Sequence, residues 1–85
     1  MAKIPEGSEI TTGVVIEALA NALFRVELDE LPKNRTAEEG QEGKPAFIAQ
    51  LGGKMRLHRI RIIVGDRVEL LFDQYGGKPR IIRRL

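Results

Sequence analysis

Apolar and polar residues alternate along most of this sequence, and this period of two restricts the chain to short β-strands. The clearest case is 23–28, in which Phe24, Val26 and Leu28 fall on one face and Arg25 and Glu27 on the other. Similar patterns predict four further strands. They cover residues 10–19, 46–51, 67–72 and 78–84.

A short helical segment is predicted between the third and fourth strands. Leu57, Ile60 and Val64 recur there at spacings of three and four, so this apolar side would pack on the sheet and hold the cations outward. Five short strands with one small helical connection at this point predict an all-β fold, a five-stranded oligonucleotide-binding (OB-fold) β-barrel. A five-stranded SH3-like barrel is the main alternative fold.

The chain has 85 residues, enough for one compact core, so we expect a single domain over residues 1–85. Between the second and third strands, residues 29–45 are rich in Glu, Gly, Lys and Pro and have almost no apolar content. A loop of this length inside a small domain is either functional or disordered. We interpret 29–45 as a flexible insertion, with a partner-contacting extension of the hairpin as the alternative.

Positive charge is concentrated in one stretch of the chain. Residues 1–45 hold nine acids and five bases, whereas residues 46–85 hold three acids and nine bases. The segment 54–61, which we call the basic cluster, has no acid and contains four permanent cations and the only histidine. Such asymmetry is typical of proteins that bind a polyanion. The cations of the cluster are Lys54, Arg56, Arg59 and Arg61.

The sequence is poor in the residues that catalysis and metal binding require. It has one histidine, one serine and no cysteine, too few for an oriented nucleophile and base or for a set of metal ligands. Gly52-Gly53-Lys54 lacks the spacing of a phosphate-binding loop. No apolar run approaches about 18 residues, and no hydrophobic signal region opens the chain. We therefore expect an intracellular, soluble protein that is not an enzyme and has no metal, no cofactor and no membrane span.

Six motifs, in order and in spacing, resemble bacterial translation initiation factor one. Phe-Arg-Val-Glu-Leu at 24–28 and Gly-Lys-Met-Arg at 53–56 are the most specific of them. The likeness covers residues 3–28 and 46–84. The other motifs are 13–17, 60–62, 65–68 and 80–82 with Arg84.

This resemblance implies a cytoplasmic, monomeric OB-fold protein that binds the small ribosomal subunit at the aminoacyl-tRNA site. It implies contact with the decoding region of 16S ribosomal RNA and with a neighbouring ribosomal protein. It also implies that the protein blocks premature tRNA entry and cooperates with the second and third initiation factors. The basic cluster, together with residues matched by position, makes up the candidate RNA contacts. They are Arg25, Lys54, Met55, Arg56, Arg59, Arg61, Tyr75, Lys78, Arg80 and Arg84.

Two other functions remain open at this stage. One is a general RNA chaperone of the cold-shock kind, which binds single strands, and the other is a protein-interaction barrel that uses the acidic insertion. Single-strand binders stack bases on several aromatic side chains. Only Phe47 and Tyr75 are candidates here, because Phe24 and Phe72 fall in phase with apolar neighbours. Cations on a rigid turn favour binding to a folded RNA backbone instead.

The chain also departs from the family pattern. The insertion replaces a tight turn, Gln50 stands where histidine is common, and His58 with Arg59 replaces a polar-aromatic pair. Pro79 occupies a usual glycine position, so the last strand should begin there or lie at an edge. Alternation along that strand predicts that Arg80 and Arg84 share a face, with Arg83 on the opposite one.

Overall fold

The computed structural model describes residues 7–31, 38–40, 43–73 and 77–85. Six strands, one short α-helix and one 3-10 turn make up the described part of the chain. The turn, Ala20–Ala22, joins the first two strands, and Asn21 within it adopts φ of 63°. The remaining elements are β1 (Glu9–Leu19), β2 (Leu23–Leu28), β3 (Glu38–Glu39), β4 (Pro45–Leu51), α1 (Gly53–Leu57), β5 (Arg67–Phe72) and β6 (Arg80–Arg84).

Five of the strands close in a ring. β1 pairs with β2 and β5, β2 also pairs with β4, and β6 lies between β4 and β5. All of these pairs are antiparallel except β4 with β6, which is parallel. The helix α1 lies between β4 and β5 in the chain. This topology confirms the predicted five-stranded OB fold with a short helical connection after its third ring strand.

The long strand β1 pairs on both of its edges, and Gly13 lies where both ladders meet. Gly13 is opposite Leu28 on β2 and opposite Val68 on β5. A Cβ atom at this position would lie 2.5 Å from the carbonyl oxygen of Glu27, so only glycine permits the close approach of β1 and β2. The register then shifts between Val15 and Glu17, which bends β1 around the ring.

The core fills the inside of the ring. The alternation predicted for β2 is confirmed, because Phe24, Val26 and Leu28 are all buried. Glu27 on the other face is also buried, since it packs against the insertion. The remaining core side chains come from β1, β4, α1, the α1–β5 connection, β5 and β6, and they are Val15, Ala49, Met55, Ile62, Val68, Leu70, Phe72 and Ile81.

Part of the insertion is paired with the sheet. β3 pairs antiparallel with the start of β4, at Pro45 and Ala46, and the Gly40 amide donates a 2.7 Å hydrogen bond to the Lys44 carbonyl. Gly40 lies against Glu27, and a Cβ atom there would overlap the Glu27 carboxylate. β3 therefore extends the hairpin outside the ring. Flexibility of the insertion elsewhere stays a prediction, since 32–37 and 41–42 lie outside the described residues.

The prediction for the apolar side of the basic cluster is wrong. Leu57, Ile60 and Val64 are exposed, with Leu57 at 76%. The buried side chains in this region are instead Met55 and Ile62. The helix ends at Leu57, so the helical spacing on which the prediction rested does not continue beyond it.

The prediction that Arg80 and Arg84 share a face is also wrong. Arg80 lies opposite Leu71, whereas the register shifts by one residue further along β6. This irregularity places Arg83 opposite Glu69 and Arg84 opposite Val68. Because directly opposite residues share a face of the sheet, Arg83 lies on the outer face with Arg80. The strand begins at Arg80, directly after Pro79 and two residues later than predicted.

Candidate nucleic-acid interface

The helix α1 is held against β6 at its first turn. The Gly52 amide donates a 2.8 Å hydrogen bond to the Ile81 carbonyl, and a Cβ atom on Gly52 would lie 3.0 Å from that oxygen. Met55 enters the core and is 2% exposed. This burial makes Met55 the apolar anchor of α1 in the core. Its role as an RNA contact, which the resemblance implies, stays a prediction.

Docking of α1 brings two predicted RNA-binding cations to one groove. Lys54 from α1 and Arg80 from β6 both line a half-open groove of about 210 Å³. Its other walls are apolar side chains or glycine backbone, so no acidic side chain among the lining residues neutralises the two positive charges. The remaining lining residues are Gly52, Gly53, Met55, Leu71 and Ile82.

The cations of the basic cluster are exposed and have no acidic partner among the described residues. Lys54 and Arg56 lie on α1, whereas Arg59 and Arg61 lie on the connection to β5. Arg59 adopts φ of 53°, in the left-handed region. An unpaired guanidinium or ammonium on a surface loses no internal contact when it binds phosphate. These four residues are therefore available to a polyanion.

Two other predicted arginines are engaged within the molecule. Arg25 donates a 2.7 Å hydrogen bond from Nη1 to Glu17, its cross-strand neighbour on β1. The Nε atom of Arg84 lies 3.4 Å from the Asp66 carboxylate. Both would have to share or release an acidic partner before they could bind phosphate.

The last two predicted contacts are Lys78 and Tyr75. Lys78 is exposed and lies two residues before β6. Tyr75 lies outside the described residues.

Comparison with known proteins decides the family. No protein-family model matches the sequence. The chain is similar to the solution structure of translation initiation factor one from the Wolbachia endosymbiont strain TRS of Brugia malayi, with 35% sequence identity and a TM-score of 0.68. The match covers 94% of this chain and 80% of that one. The chain belongs to the family of translation initiation factor one.

A second likeness is to part of a larger protein. The crystal structure of YjeQ from Thermotoga maritima matches with 26% identity and a TM-score of 0.60. The match covers 91% of this chain but only 23% of YjeQ. It is therefore a likeness to one portion of YjeQ, whereas most of the length of the Wolbachia initiation factor is matched.

One acidic residue in this initiation-factor fold has a role that the sequence patterns missed. The Asp66 carboxylate accepts a 3.0 Å hydrogen bond from the Ile63 amide and also faces Arg84. Its own amide donates to the Ile63 carbonyl at 3.1 Å. The Gly65-Asp66 pair does signal a turn before β5. Nothing in the sequence signals that Arg84 meets this turn, because the contact depends on the path of β6.

Exposed aliphatic side chains lie among the cations. Leu57, Ile63 and Val64 are each more than half exposed. They cannot stack on bases as aromatic rings do. Phe47, a candidate stacking residue, is partly buried against the core and packs edge-on against Phe72 with 5.0 Å between ring centroids.

A separate acidic site ties β1, β2 and β5 together. The Asp29 carboxylate accepts hydrogen bonds from the Thr12 hydroxyl at 2.6 Å and from Arg67 Nη2 at 2.8 Å. These bonds stabilise the ionised form and lower the pKa of Asp29, with Thr12 the larger cause. Arg67 is therefore paired, unlike the cations of the basic cluster.

The described residues contain no group of three or more His, Cys, Asp or Glu side chains placed to hold a metal ion. No helix among them is long and apolar enough to cross a membrane.

Proposed function

We propose that this chain is a translation initiation factor that binds the small ribosomal subunit at the aminoacyl-tRNA site, on the decoding region of 16S ribosomal RNA. Membership of the family of translation initiation factor one supports the role in initiation. The observation that carries the RNA-binding part is the groove lined by Lys54 and Arg80, together with the exposed, unpaired cations of the basic cluster. Folded RNA is recognised largely through the shape and position of its phosphates, which requires cations on a rigid support.

In the proposed mechanism the protein acts by occupying the aminoacyl-tRNA site, and it catalyses no reaction. Lys54 and Arg80 bind backbone phosphate at the groove, and Arg56, Arg59 and Arg61 contact the RNA beside it. The bound protein excludes tRNA from the site, touches a neighbouring ribosomal protein and supports the second and third initiation factors. It acts as a cytoplasmic monomer without a cofactor. Lys78, which is exposed, is a further proposed contact. Tyr75 is also proposed as a contact, from the resemblance alone.

Arg25 and Arg84 are less favourably placed to contact RNA directly. Each faces a carboxylate within the protein, at Glu17 and Asp66 respectively. A phosphate that approached either guanidinium would meet the field of that carboxylate as well. We therefore assign the direct contacts first to the unpaired cations.

Binding to vacant small subunits at several salt concentrations tests the proposal. If about 4 to 7 phosphates are engaged, the slope of log K against log salt lies at roughly −3 to −5. Chemical footprinting of 16S RNA then identifies the site, and we expect protection in the decoding region. Equal affinity for unstructured oligonucleotides would favour an RNA chaperone. Salt-insensitive binding to a protein alone would favour a protein-interaction barrel.

A further inference from the structure

Asp66 anchors the end of the segment that carries the exposed cations. It is an acid on the basic side of the protein, yet its side chain is only 15% exposed. One carboxylate oxygen, Oδ2, accepts the Ile63 amide at 3.0 Å and lies 3.4 Å from Nε of Arg84. One side chain therefore connects the α1–β5 segment with the end of β6.

The same turn is also attached to β1 through backbone hydrogen bonds. The Gly65 amide donates to the Val15 carbonyl at 2.8 Å, and the Val15 amide donates to the Asp66 carbonyl at 2.9 Å. These bonds hold the turn but not the residues before it. The contact from Asp66 Oδ2 extends the anchorage back to Ile63.

The other end of the segment is anchored at the helix. The Ile60 amide donates a 3.1 Å hydrogen bond to the Met55 carbonyl, and Ile62 is buried in the core. Arg59 and Arg61 alternate with these two anchored residues. The directions of their side chains therefore depend on how well Ile60, Ile62 and Ile63 are held. The placement of charged groups decides how many phosphates a surface engages at once.

We propose that Asp66 is a positioning residue for RNA binding, which holds the α1–β5 segment so that Arg59 and Arg61 meet phosphates together. The inference rests on the function proposed above. Net charge alone predicts the opposite effect, because the removal of an acid from a basic surface strengthens the binding of a polyanion. Here the positional contribution of Asp66 exceeds its repulsion, because its charge is already shared with Arg84.

Two variants of Asp66 separate position from charge. Asp66→Ala and Asp66→Asn both remove one negative charge, but asparagine keeps an oxygen that accepts the Ile63 amide. We expect Asp66→Ala to weaken binding to small subunits by roughly tenfold or more, and to make the salt slope shallower by about one. Asp66→Asn should stay within about threefold of the unmodified protein.

Glu30→Gln is the matched control for charge, since Glu30 is exposed, lies two residues after β2 and belongs to neither anchor. It should leave affinity unchanged or slightly higher. Binding is measured below the melting temperature of the least stable variant, so that loss of fold does not imitate loss of affinity. Equal or tighter binding by both Asp66 variants would overturn the proposal.

Amide hydrogen exchange tests the anchor without RNA, so its result is separate from the proposed function. Exchange at the Ile63 amide should be faster in Asp66→Ala and nearly unchanged in Asp66→Asn. If Asp66→Ala does not fold, Arg84→Gln is the second variant, because it removes the contact between Arg84 and the Asp66 carboxylate. Arg84→Gln should then speed exchange at Ile63, whereas Arg83→Gln, which removes the same charge next to it, should not. Unchanged exchange in Arg84→Gln would contradict the anchor even if the protein binds subunits as proposed.

Discussion

The Gly52 amide and the Ile81 carbonyl are joined by a 2.8 Å hydrogen bond that fixes the start of α1 against β6. Residues distant in the sequence meet because of this contact. Lys54 follows Gly52 by two positions and Arg80 precedes Ile81, so the bond brings the two cations to one groove. The candidate RNA site therefore depends on a backbone contact between two residues that carry no charge.

Substitution of the two adjacent glycines should have opposite effects on stability. A Cβ on Gly52 would lie 3.0 Å from the Ile81 carbonyl oxygen, whereas a Cβ on Gly53 would meet nothing within 4 Å. Overpacking of this kind costs about 1 to 3 kcal/mol, so Gly52→Ala should lower the free energy of unfolding. Gly53→Ala should raise it by about 0.4 to 1 kcal/mol, because alanine restricts the unfolded chain and favours helix. Urea denaturation measures the stability of both variants. Equal effects of the two substitutions would contradict the close approach of Gly52 to the Ile81 carbonyl.

Met55 and Leu57 should differ sharply in their contributions to stability, although they are two residues apart on α1. Met55 is 2% exposed and Leu57 is 76% exposed. Met55→Ala should reduce the free energy of unfolding by about 2 to 5 kcal/mol, since it opens a cavity in the core. Leu57→Ala should change it by no more than about 0.5 kcal/mol. A large loss of stability with Leu57→Ala would mean that Leu57 packs on the sheet, as the helical spacing predicted.

Removal of two unpaired cations should weaken binding without unfolding the protein. We expect the double variant Arg56→Ala, Arg61→Ala to lose about 1.5 to 3 kcal/mol of binding free energy for each charged hydrogen bond that it formed. Filter binding or sedimentation with small subunits measures the loss. Arg67→Ala is the control, because its guanidinium is paired with Asp29. Undiminished affinity in a folded double variant would remove the basic cluster from the mechanism.

Acid should weaken the connection that Asp29 makes between β1, β2 and β5. Hydrogen bonds from Thr12 and Arg67 lower the pKa of Asp29 below its ordinary 3.8. Folding therefore favours the ionised carboxylate, and this contribution is full above about pH 4 and is lost as the pH falls through the folded-state pKa. The side chain is 40% exposed, so solvent screening limits the contribution to about 1 kcal/mol or less.

Asp29→Asn tests this directly. It should lower stability at neutral pH and should reduce the difference in stability between about pH 6 and pH 3, measured by urea denaturation. Glu30→Gln removes the adjacent exposed carboxylate and should leave the pH dependence unchanged. The same pH dependence in Asp29→Asn and the unmodified protein would show that other groups cause it.

Deletion of residues 33–43 should leave the ring of strands intact. β3 pairs only with β4, outside the ring, and Glu27 on β2 lies directly opposite Ala46 on β4. The five residues that remain between β2 and β4 suit a hairpin loop, for which 2–5 residues are usual. Circular dichroism and thermal denaturation should show a folded variant. An unfolded variant would mean that the packing of Gly40 on Glu27 is essential to the fold.

The sequence by itself determined the five strands of the ring and the family, but it did not predict β3. Period-two alternation at 23–28 and 67–72 matches β2 and β5 residue for residue, because alternation is local and directly reports which side of a strand is buried. The collinear motifs indicated the same family that the structural comparison shows. The number and order of the strands predicted an OB fold but left an SH3-like barrel open, and the observed strand pairing decided between them. The basic cluster was identified from charge alone.

Tertiary structure decided which residues of that cluster face the core and which cations remain unpaired. Helical spacing selected Leu57, Ile60 and Val64, but α1 ends at Leu57, and the residues buried in the core are Met55 and Ile62 instead. A register shift in β6 moved Arg83 to the face of Arg80 and brought Arg84 to Asp66. Such contacts join residues far apart in the chain, so no local pattern contains them. The sequence shows where the cations are, whereas the packing of the ring decides which of them can meet RNA.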